Sequence, residues 1–488
     1  MKLTAEQSVY IRTAFPQMQH VADFVALLNA VKSFVYPNST KPFTEAYLKL
    51  FVFPEERLFR KNNRNPVRYK TFTIRKKSGK MRTIHAPVKG LKAIQTCLNI
   101  MLQEVHEPHA AAMGFVPGKS IVDNARLHVG QAFVYNIDLK DFFPSIDQAR
   151  VWGRLQAPPF NLQKGTPRLK IANLIAGLCC HSVVVGERIE EGTFPLDFKV
   201  QDTGRESYMN VLRLYLEKKE KIHLMSQELQ DFVKWVVTEE IYMHVLPQGA
   251  PTSPTLTNII CERLDRRLTC LAARFNLRYS RYADDITFSS GKDVFVYGKN
   301  SVFLKELQQI IHGQNFRINE SKTRLQKPGY RQEVTGLTVN EKPNVAKRYV
   351  KQLRRWLYLW ETYGLERAQV YFQKDYLDPE KGRGYAKSGA GLPVLANVLS
   401  GKLLFLRMVK GERDIVYLKL KARLEKLVTD STLTADVLLA QVEIPIPKLQ
   451  PKKEKTPVEA ALEIIAAKQE DGLAEAMNLL LKHKQNGL

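Results

Sequence analysis

The sequence predicts a mixed α+β fold, and three observations support this assignment. β-favouring runs in residues 133–146 and 277–288 carry aspartates close to strand ends or turns. A further pair of β-like runs surrounds a basic Ser-Gly turn within residues 70–87. Helix-like apolar periodicity dominates residues 1–65 and returns after residue 346. With 488 residues, of which 44% are hydrophobic, the chain is too long for one compact domain.

The first aspartate motif is Tyr282-Ala283-Asp284-Asp285. β-favouring residues stand on both sides of the acidic pair and leave no room for a long loop, so the pair must lie on a hairpin turn or at a strand end. Acidic pairs are also frequent in turns through local hydrogen bonding and solvation. A divalent cation is the alternative, because Mg²⁺ binds hard oxygen ligands and takes one or two carboxylates from a protein.

The second motif decides between these interpretations. An apolar strand delivers Asp138 between Ile137 and Leu139, where an ionised carboxylate is costly unless a cation or partner meets it. Two-metal sites hold ions about 3.5–4 Å apart and bind both the attacking and the leaving oxygen of an in-line displacement. Asp138, Asp284 and Asp285 could supply the ligands of such a site, as in polymerases.

A third motif lies between the two, at Leu246-Pro247-Gln248-Gly249-Ala250-Pro251. Gly249 allows close backbone approach to a ligand, and the prolines stiffen the turn and start the helix that follows. With these three motifs in this order, the chain resembles the reverse transcriptases. The resemblance implies a right-hand polymerase, with fingers, a palm built on an antiparallel sheet, and a helical thumb.

The expected division of the chain follows from that resemblance. It runs as a helical N-terminal region at 1–65, fingers at 66–132, a palm at 133–345 with an insertion at about 183–241, a helical thumb at 346–440, and a linker with a C-terminal helix at 441–488. Leu229, Phe232, Val233 and Val236 give the insertion an apolar helical face. That face packs on the palm or meets a partner, and both the insertion and the C-terminal helix are candidates for homo-oligomer contacts.

The resemblance also implies roles for individual residues. Asp138, Asp284 and Asp285 are the expected catalytic and metal-binding residues, with two Mg²⁺ ions per site and Mn²⁺ as a substitute. Lys322 is the expected acid for the leaving pyrophosphate, with an exposed lysine without a role as the alternative. The expected nucleotide-binding residues are Lys77, Lys80, Arg82, Asp141, Phe143, Gln248 and Gly249. Among them Arg82 suits bidentate phosphate binding, and Phe143 would exclude a 2′-hydroxyl. The primer grip is expected at Thr335, Gly336 and Leu337.

Two short elements narrow the resemblance to the retron and related phage-defence reverse transcriptases of bacteria. They are an Asn-Ala-x-x-His element, found at Asn124 to His128, and a Val-Thr-Gly triplet at 334–336. His128 could equally be a structural histidine inside a helix.

Composition agrees with a nucleic-acid partner. The formal net charge is +25, which favours a polyanion. Five scattered cysteines form neither a disulfide framework nor a zinc pattern. No apolar run is long enough to span a bilayer, and no signal peptide is apparent. We therefore expect a cytoplasmic location without membrane association.

The function that the resemblance implies is RNA-directed DNA synthesis from dNTPs on a dedicated structured noncoding RNA, giving a cDNA product in bacterial antiphage defence. The alternatives are a group II intron-like or template-independent polymerase and a non-catalytic RNA-binding scaffold. The absence of a Cys/His cluster after the thumb argues against an intron protein with an endonuclease.

Overall fold

The structure is a computed structural model, and it describes residues 3–39, 41–52, 68–75, 79, 81–190, 237–295, 301–377 and 393–430. The chain divides into two units, Met1–Lys421 and Ala422–Leu488. Every element that positions the candidate site belongs to the first unit. In the second unit the described residues are 422–430, which form the end of a helix.

The N-terminal region is helical, as predicted, in its described part. Thr4 and Gln7 form a capping box at the first helix. The apolar stripe of the second helix is buried at Phe24, Leu27, Leu28 and Val31. The helices are α1 (Ala5–Gln17), α2 (Val21–Val35) and α3 (Glu45–Lys49).

The two β-like runs around the basic turn form an antiparallel hairpin. Its strands are β1 (Tyr69–Arg75) and β2 (Met81–Pro87), which pair over their whole length. Most of the hairpin is exposed, whereas the helix that follows it, α4 (Lys89–Val105), buries seven side chains. Contacts between α4 and the helices α1 and α2 carry that burial.

A five-stranded antiparallel sheet carries the acidic motifs. Its central strand is β3 (Phe133–Lys140), with β7 (Asp285–Ser290) on one side and then β6 (Arg278–Tyr282) at that edge. On the other side β3 pairs with two short strands, β8 (Arg317–Ile318) and β9 (Arg324–Gln326). The alternating pattern of β3 buries Ile137 and Leu139, which belong to the main hydrophobic core.

Helices cover the sheet and complete this core. The longest of them, α8, has Pro254 in its first turn, as the sequence predicted for the start of this helix. The helices are α5 (Ile121–Arg126), α6 (Gln148–Leu155), α7 (Leu169–Cys179), α8 (Ser253–Arg274) and α9 (Val302–His312).

A two-stranded ribbon lies where the insertion was predicted. Strands β4 (His181–Glu190) and β5 (Val237–Val245) pair along their length, with an irregularity between Val184 and Gly186. The predicted apolar face at Leu229 to Val236 lies outside the described residues, as does the predicted C-terminal helix. Their roles in self-association stay predictions.

The last part of the first unit begins with a small hairpin, β10 (Glu333–Val334) and β11 (Leu337–Thr338). Three helices follow: α10 (Lys347–Leu377), interrupted at Gly364, α11 (Leu395–Lys410) and α12 (Ile415–Asp430), which continues into the second unit. Trp356 and Trp360 are 2% and 3% exposed, so they pack in the core rather than offering rings to bases. None of the helices in the described ranges could cross a membrane.

Candidate active site

The Tyr-Ala-Asp-Asp motif forms the tight turn between β6 and β7, as its sequence predicted. Ala283 has a positive φ of 57°, an uncommon conformation for a residue other than glycine. Gly114 lies directly against this turn, since a Cβ atom at Gly114 would be 2.6 Å from the amide nitrogen of Ala283. The turn therefore depends on a glycine 169 positions earlier in the chain, counted from 114 to 283.

The sheet register brings Asp138 to the acidic turn. Asp138 pairs with Asp285 across β3 and β7, and the amide of Leu139 donates to the carbonyl oxygen of Asp284 at 3.0 Å. The three predicted carboxylates thus lie at adjacent strand ends. In the described part of the chain, no three His, Cys, Asp or Glu side chains are arranged closely enough to hold one ion together.

The side chains of Lys322 and Asn319 both hydrogen-bond to Asp138. The sequence motifs did not predict either contact. The ammonium of Lys322 donates to its Oδ1 at 2.7 Å, and the amide Nδ2 of Asn319 donates to its Oδ2 at 2.9 Å. The backbone amide of Asn319 also donates to the carbonyl oxygen of Asp138, at 2.8 Å. Both oxygens of this carboxylate therefore accept a hydrogen bond from a protein group.

The electrostatics of the turn reflect crowded negative charge. Burial raises the pKa of Asp285 to about 6, and repulsion from Asp284 and then Asp138 adds to the shift. The Asp285 side chain is exposed at the surface, so the charges of the two neighbouring carboxylates account for more of this shift than burial does. The pKa of Asp284 is also raised, by burial first and by Asp138, whereas Lys322 and Arg82 act in the opposite direction.

Lys322 remains a cation in this setting. Burial opposes the charged form, but the hydrogen bond to Asp138 and the charges of Asp138, Asp284 and Asp285 outweigh it and raise the pKa of Lys322. The Lys322 side chain is still 57% exposed, so it can move away from Asp138. It is the group of the described chain that neutralises Asp138 in this structure.

A buried ion pair supports the turn from below. The guanidinium of Arg281 donates to both oxygens of Asp265, at 2.7 and 2.6 Å, and to the carbonyl oxygen of Ala283 at 3.2 Å. The side chains of Arg281 and Asp265 are both 0% exposed. Breaking such a pair leaves an uncompensated buried charge, so the pair fixes the turn only while both partners are present. The sequence motifs gave no sign of this support, because Asp265 lies on α8.

Of the predicted nucleotide-binding residues, Arg82 is the one whose charge acts on the acidic turn in the described part of the chain. Arg82 is exposed on β2 and lowers the pKa of Asp284 through its charge, so its field reaches the acidic turn. Lys77 and Lys80 lie outside the described residues. Asp141 is exposed in the turn after β3, with a positive φ of 49°.

Phe142 and Phe143 are neighbours in the chain but differ in burial. Phe142 is 4% exposed and packs against Phe316, with ring centroids 5.7 Å apart. Phe143 is half-buried, and its ring lies 6.2 Å from that of Phe115. Phe115 is 40% exposed and has a positive φ of 61°, a rare conformation for an aromatic residue. Phe142 is thus part of the core, whereas Phe143 packs against the core from its edge and faces a second aromatic ring that the sequence motifs missed.

The Gln248–Gly249 loop packs against the β1–β2 hairpin. The amide of His85 donates to the carbonyl oxygen of Gln248 at 2.9 Å. Gly249 has φ 125°, and a Cβ there would be 2.9 Å from both the His85 carbonyl oxygen and the Ile84 side chain. The close approach that we predicted toward a ligand is therefore, in this structure, an approach to the protein's own strand.

The predicted primer grip is a two-residue turn. Thr335 and Gly336 have φ values of 47° and 80°, as a type I′ hairpin turn requires. Val334 and Leu337 pair on either side of the turn, and the Leu337 side chain is 1% exposed. The Leu337 side chain therefore anchors the hairpin, and the Thr335–Gly336 turn is the part that remains accessible.

Comparison with known proteins identifies the class to which this site belongs. Residues 208–351 match the family model described as reverse transcriptase (RNA-dependent DNA polymerase). The chain belongs to the bacterial retron-type reverse transcriptases, because it is 30% identical over 292 residues to the Retron Ec86 reverse transcriptase of Escherichia coli, covering 59% of this chain and 68% of that protein.

Other relatives support the same assignment. The chain is 35% identical over 298 residues to the Retron Mx162 reverse transcriptase of Myxococcus xanthus, and 35% identical over 290 residues to the Retron Mx65 enzyme of the same organism. Each match covers 59% of this chain, and they cover 51% and 55% of those proteins. The chain thus spans about half the length of these two relatives.

Proposed function

We propose that this protein is an RNA-directed DNA polymerase that copies a structured noncoding RNA into cDNA. The proposal rests on one observation: Asp138 lies next to the turn that carries Asp284 and Asp285, because the strand register pairs Asp138 with Asp285. Membership of the retron-type family supplies the reaction class. A dedicated noncoding RNA and a role in antiphage defence are carried over from the family.

The donor set fits a pair of Mg²⁺ ions. Carboxylate oxygens are the ligands that Mg²⁺ prefers, and it needs few of them from the protein. The raised pKa values of Asp284 and Asp285 mark an excess of negative charge that a bound cation would relieve. When bound, two ions would activate the primer hydroxyl and stabilise the charge of the leaving pyrophosphate.

The residues of the chain would bind and orient the reactants. Asp138 and Asp284 would hold the ions, with Asp285 beside them, and Arg82 would bind the triphosphate. Phe143 would lie under the sugar of the incoming nucleotide and exclude a 2′-hydroxyl. Lys322 would release Asp138 and donate a proton to the departing pyrophosphate.

The exposed side of α10 would bind the template–primer duplex. Lys347, Lys351, Arg354 and Tyr358 are all exposed and follow one another at helical spacing, while Leu353 and Trp356 are buried. Such a basic stripe with a tyrosine suits contacts to phosphates and sugars.

The test is primer extension by the purified protein on an RNA template with Mg²⁺ and labelled dNTPs. We expect Asp138→Asn and Asp284→Asn to lose at least about 1000-fold in rate, as for removal of central catalytic groups. Asp293→Asn is the matched control, because an asparagine there can still accept the hydrogen bond from the Phe295 amide.

Thermal unfolding gives a readout that does not depend on activity. Added Mg²⁺ or Mn²⁺ should raise the melting temperature of the wild-type protein and of Asp293→Asn, because a ligand of the native state stabilises it. The increment should be lost in Asp138→Asn and Asp284→Asn. DNA synthesis that survives in both variants would contradict the proposal, and a protein that binds RNA but makes no DNA would be a scaffold.

A further inference from the structure

The Asn-Ala-x-x-His element and the Val-Thr-Gly triplet are in contact, although they lie more than 200 residues apart. Asn124 belongs to the short helix α5, and Thr335 belongs to the turn between β10 and β11. The Asn124 amide and the Thr335 hydroxyl lie 3.5 Å apart, at the outer limit of a hydrogen bond. Helix α5 also packs against β6, the strand that leads into the acidic turn.

A chain of hydrogen bonds runs from this contact into the β6–β7 hairpin. The Ser280 hydroxyl donates to Asn124 Oδ1 at 2.6 Å, and Ser280 Oγ lies 2.8 Å from His128 Nε2. His128 Nδ1 lies 2.7 Å from Ser289 Oγ. Asn124, His128, Ser280 and Ser289 are each at most 1% exposed, so this polar chain is sealed from water.

The direction of each bond can be assigned from the donors available. The hydroxyl proton of Ser280 is committed to Asn124, so Ser280 Oγ must accept from His128 Nε2–H. His128 is neutral, because burial lowers its pKa to about 3, with a further contribution from the charge of Arg278. Its Nδ1 therefore accepts from the Ser289 hydroxyl. Every donor in the chain then has one acceptor, which favours a single arrangement.

The other end of the chain holds a strained residue. Thr335 has a φ of 47°, and a β-branched residue is a clear outlier in that region. Its hydroxyl donates to the carbonyl oxygen of Ile121 at 3.3 Å, besides its contact with Asn124. Both contacts join the turn to α5 rather than to its own hairpin. A strained conformation of this kind persists when surrounding contacts determine it.

We propose that Thr335 and Asn124 are positioning residues that set the place of the Thr335–Gly336 turn relative to the β6–β7 hairpin. Helix α5 acts as the spacer, with one hydrogen-bonded side toward Ser280 and the other toward Thr335. This inference rests on the proposed function, in which the turn holds the primer end and the hairpin carries Asp284 and Asp285. A displacement of about 1 Å between reacting groups can cost about 100-fold in rate.

The test compares two threonines of the same small hairpin. Thr335→Val keeps the branched shape and removes the hydroxyl, and Thr335→Ser keeps the hydroxyl. Thr338→Val is the matched control, because the Thr338 hydroxyl donates to the Asn344 carbonyl oxygen at 3.1 Å, which is not a group of α5. The measured quantities are kcat and the separate KM values for primer–template and dNTP, with a DNA primer on an RNA template.

We expect Thr335→Val to raise the KM for primer–template or lower kcat by at least about tenfold, with the KM for dNTP changed less than about twofold. Thr338→Val should match the wild type, and Thr335→Ser, which keeps the hydroxyl, should restore most of the primer–template activity that Thr335→Val loses. Ser280→Ala breaks the middle of the chain and should show the same selective defect. The double variant Ser280→Ala/Thr335→Val should be no worse than the more affected single variant, because both act on one network.

The outcomes separate this inference from the proposed function. A wild-type protein that makes no DNA refutes the proposed function. If the wild type is active and Thr335→Val extends primers with wild-type kcat and KM, the positioning role is refuted. A loss that is equal for Thr335→Val and Thr338→Val, or that follows the melting temperature of the variants, would mean that these hydroxyls only stabilise the hairpin.

Discussion

At the scale of single residues, the site brings mutually repelling carboxylates together on a turn that neighbouring residues hold in place. The pKa values of Asp284 and Asp285 are both raised, by loss of solvation and by repulsion from the neighbouring carboxylates. Such repulsion destabilises a folded protein that has no cation at the site. Lys322 and Asn319 both donate to the carboxylate of Asp138, and the charge of Lys322 also opposes the rise in the pKa of Asp284 and Asp285. The acidic turn is thus held in place by its surroundings, chiefly Arg281 and Gly114, rather than by its own side chains.

The neighbouring residues Phe142 and Phe143 give a direct test of nucleotide selection. Phe143→Ala should increase the incorporation of ribonucleotides relative to deoxynucleotides by at least about tenfold, because the exposed part of the ring would no longer clash with a 2′-hydroxyl. The measurement is the ratio of kcat/KM for dCTP and CTP.

Phe142→Ala is the contrasting variant. Its buried ring packs on Phe316, so its loss should cost about 3–5 kcal/mol of unfolding free energy without changing sugar selection in the protein that remains folded. Unchanged discrimination in Phe143→Ala would remove that residue from the nucleotide site.

At the scale of elements, the sequence predicted the strands and turns that carry the acidic residues, because their signals are local. The alternation around Asp138 and the short spacing of the Tyr-Ala-Asp-Asp motif suffice to place each aspartate on a strand end or turn. The partners of Asp138 could not be predicted in this way. Asn319 is 181 residues from Asp138 along the chain, and their contact depends on how β8 pairs with β3.

The neighbours of Gly249 could not be predicted from local sequence either. The sequence predicted that Gly249 allows close approach to a ligand, whereas the groups that approach it are His85 and Ile84 of β2, and this follows from tertiary packing. The β4–β5 ribbon was also missed. Its strands overlap the two ends of the predicted insertion at about 183–241 and extend beyond them. An unusual length between two motifs indicates an insertion but does not predict its secondary structure.

The link between α5 and the sheet predicts a dependence of stability on pH. His128 has a pKa of about 3 when folded and an ordinary value of 6.5, so the unfolded chain binds the extra proton first as the pH falls. The contribution of His128 to stability is present above pH 6.5 and is lost as the pH falls from about 6.5 toward about 3. Between pH 7 and pH 5 the loss should be about 2 kcal/mol.

Urea unfolding of the wild type and of His128→Gln at pH 7 and pH 5 measures this contribution. The variant should be less stable at pH 7 but should lose about 2 kcal/mol less on acidification. The comparison between the two proteins is needed because burial also lowers the pKa of His181, to about 4, and that of His106. Equal losses in both proteins would show that His128 does not titrate in this window.

At the scale of the whole molecule, the net charge of +25 favours a polyanionic partner but does not locate its binding surface. The proposed function assigns that surface to the exposed residues Lys347, Lys351 and Arg354 on α10. Neutralising a protein cation that contacts a phosphate reduces the number of counterions released on binding. The salt dependence of affinity therefore identifies contacting cations better than affinity at a single salt concentration does.

We expect Lys351→Gln/Arg354→Gln to weaken binding of an RNA–DNA duplex and to reduce the slope of log K against log salt by about 0.7–0.9 for each lost contact. Lys164→Gln/Lys170→Gln removes the same charge from exposed positions near α7 and should leave the slope close to that of the wild type, because general attraction alone is screened within about 10 Å at 0.1 M salt. Titrations by fluorescence anisotropy from 50 to 300 mM KCl measure both slopes. If the two double variants lower the slope equally, the duplex is held by the overall positive charge, and α10 is not its binding surface.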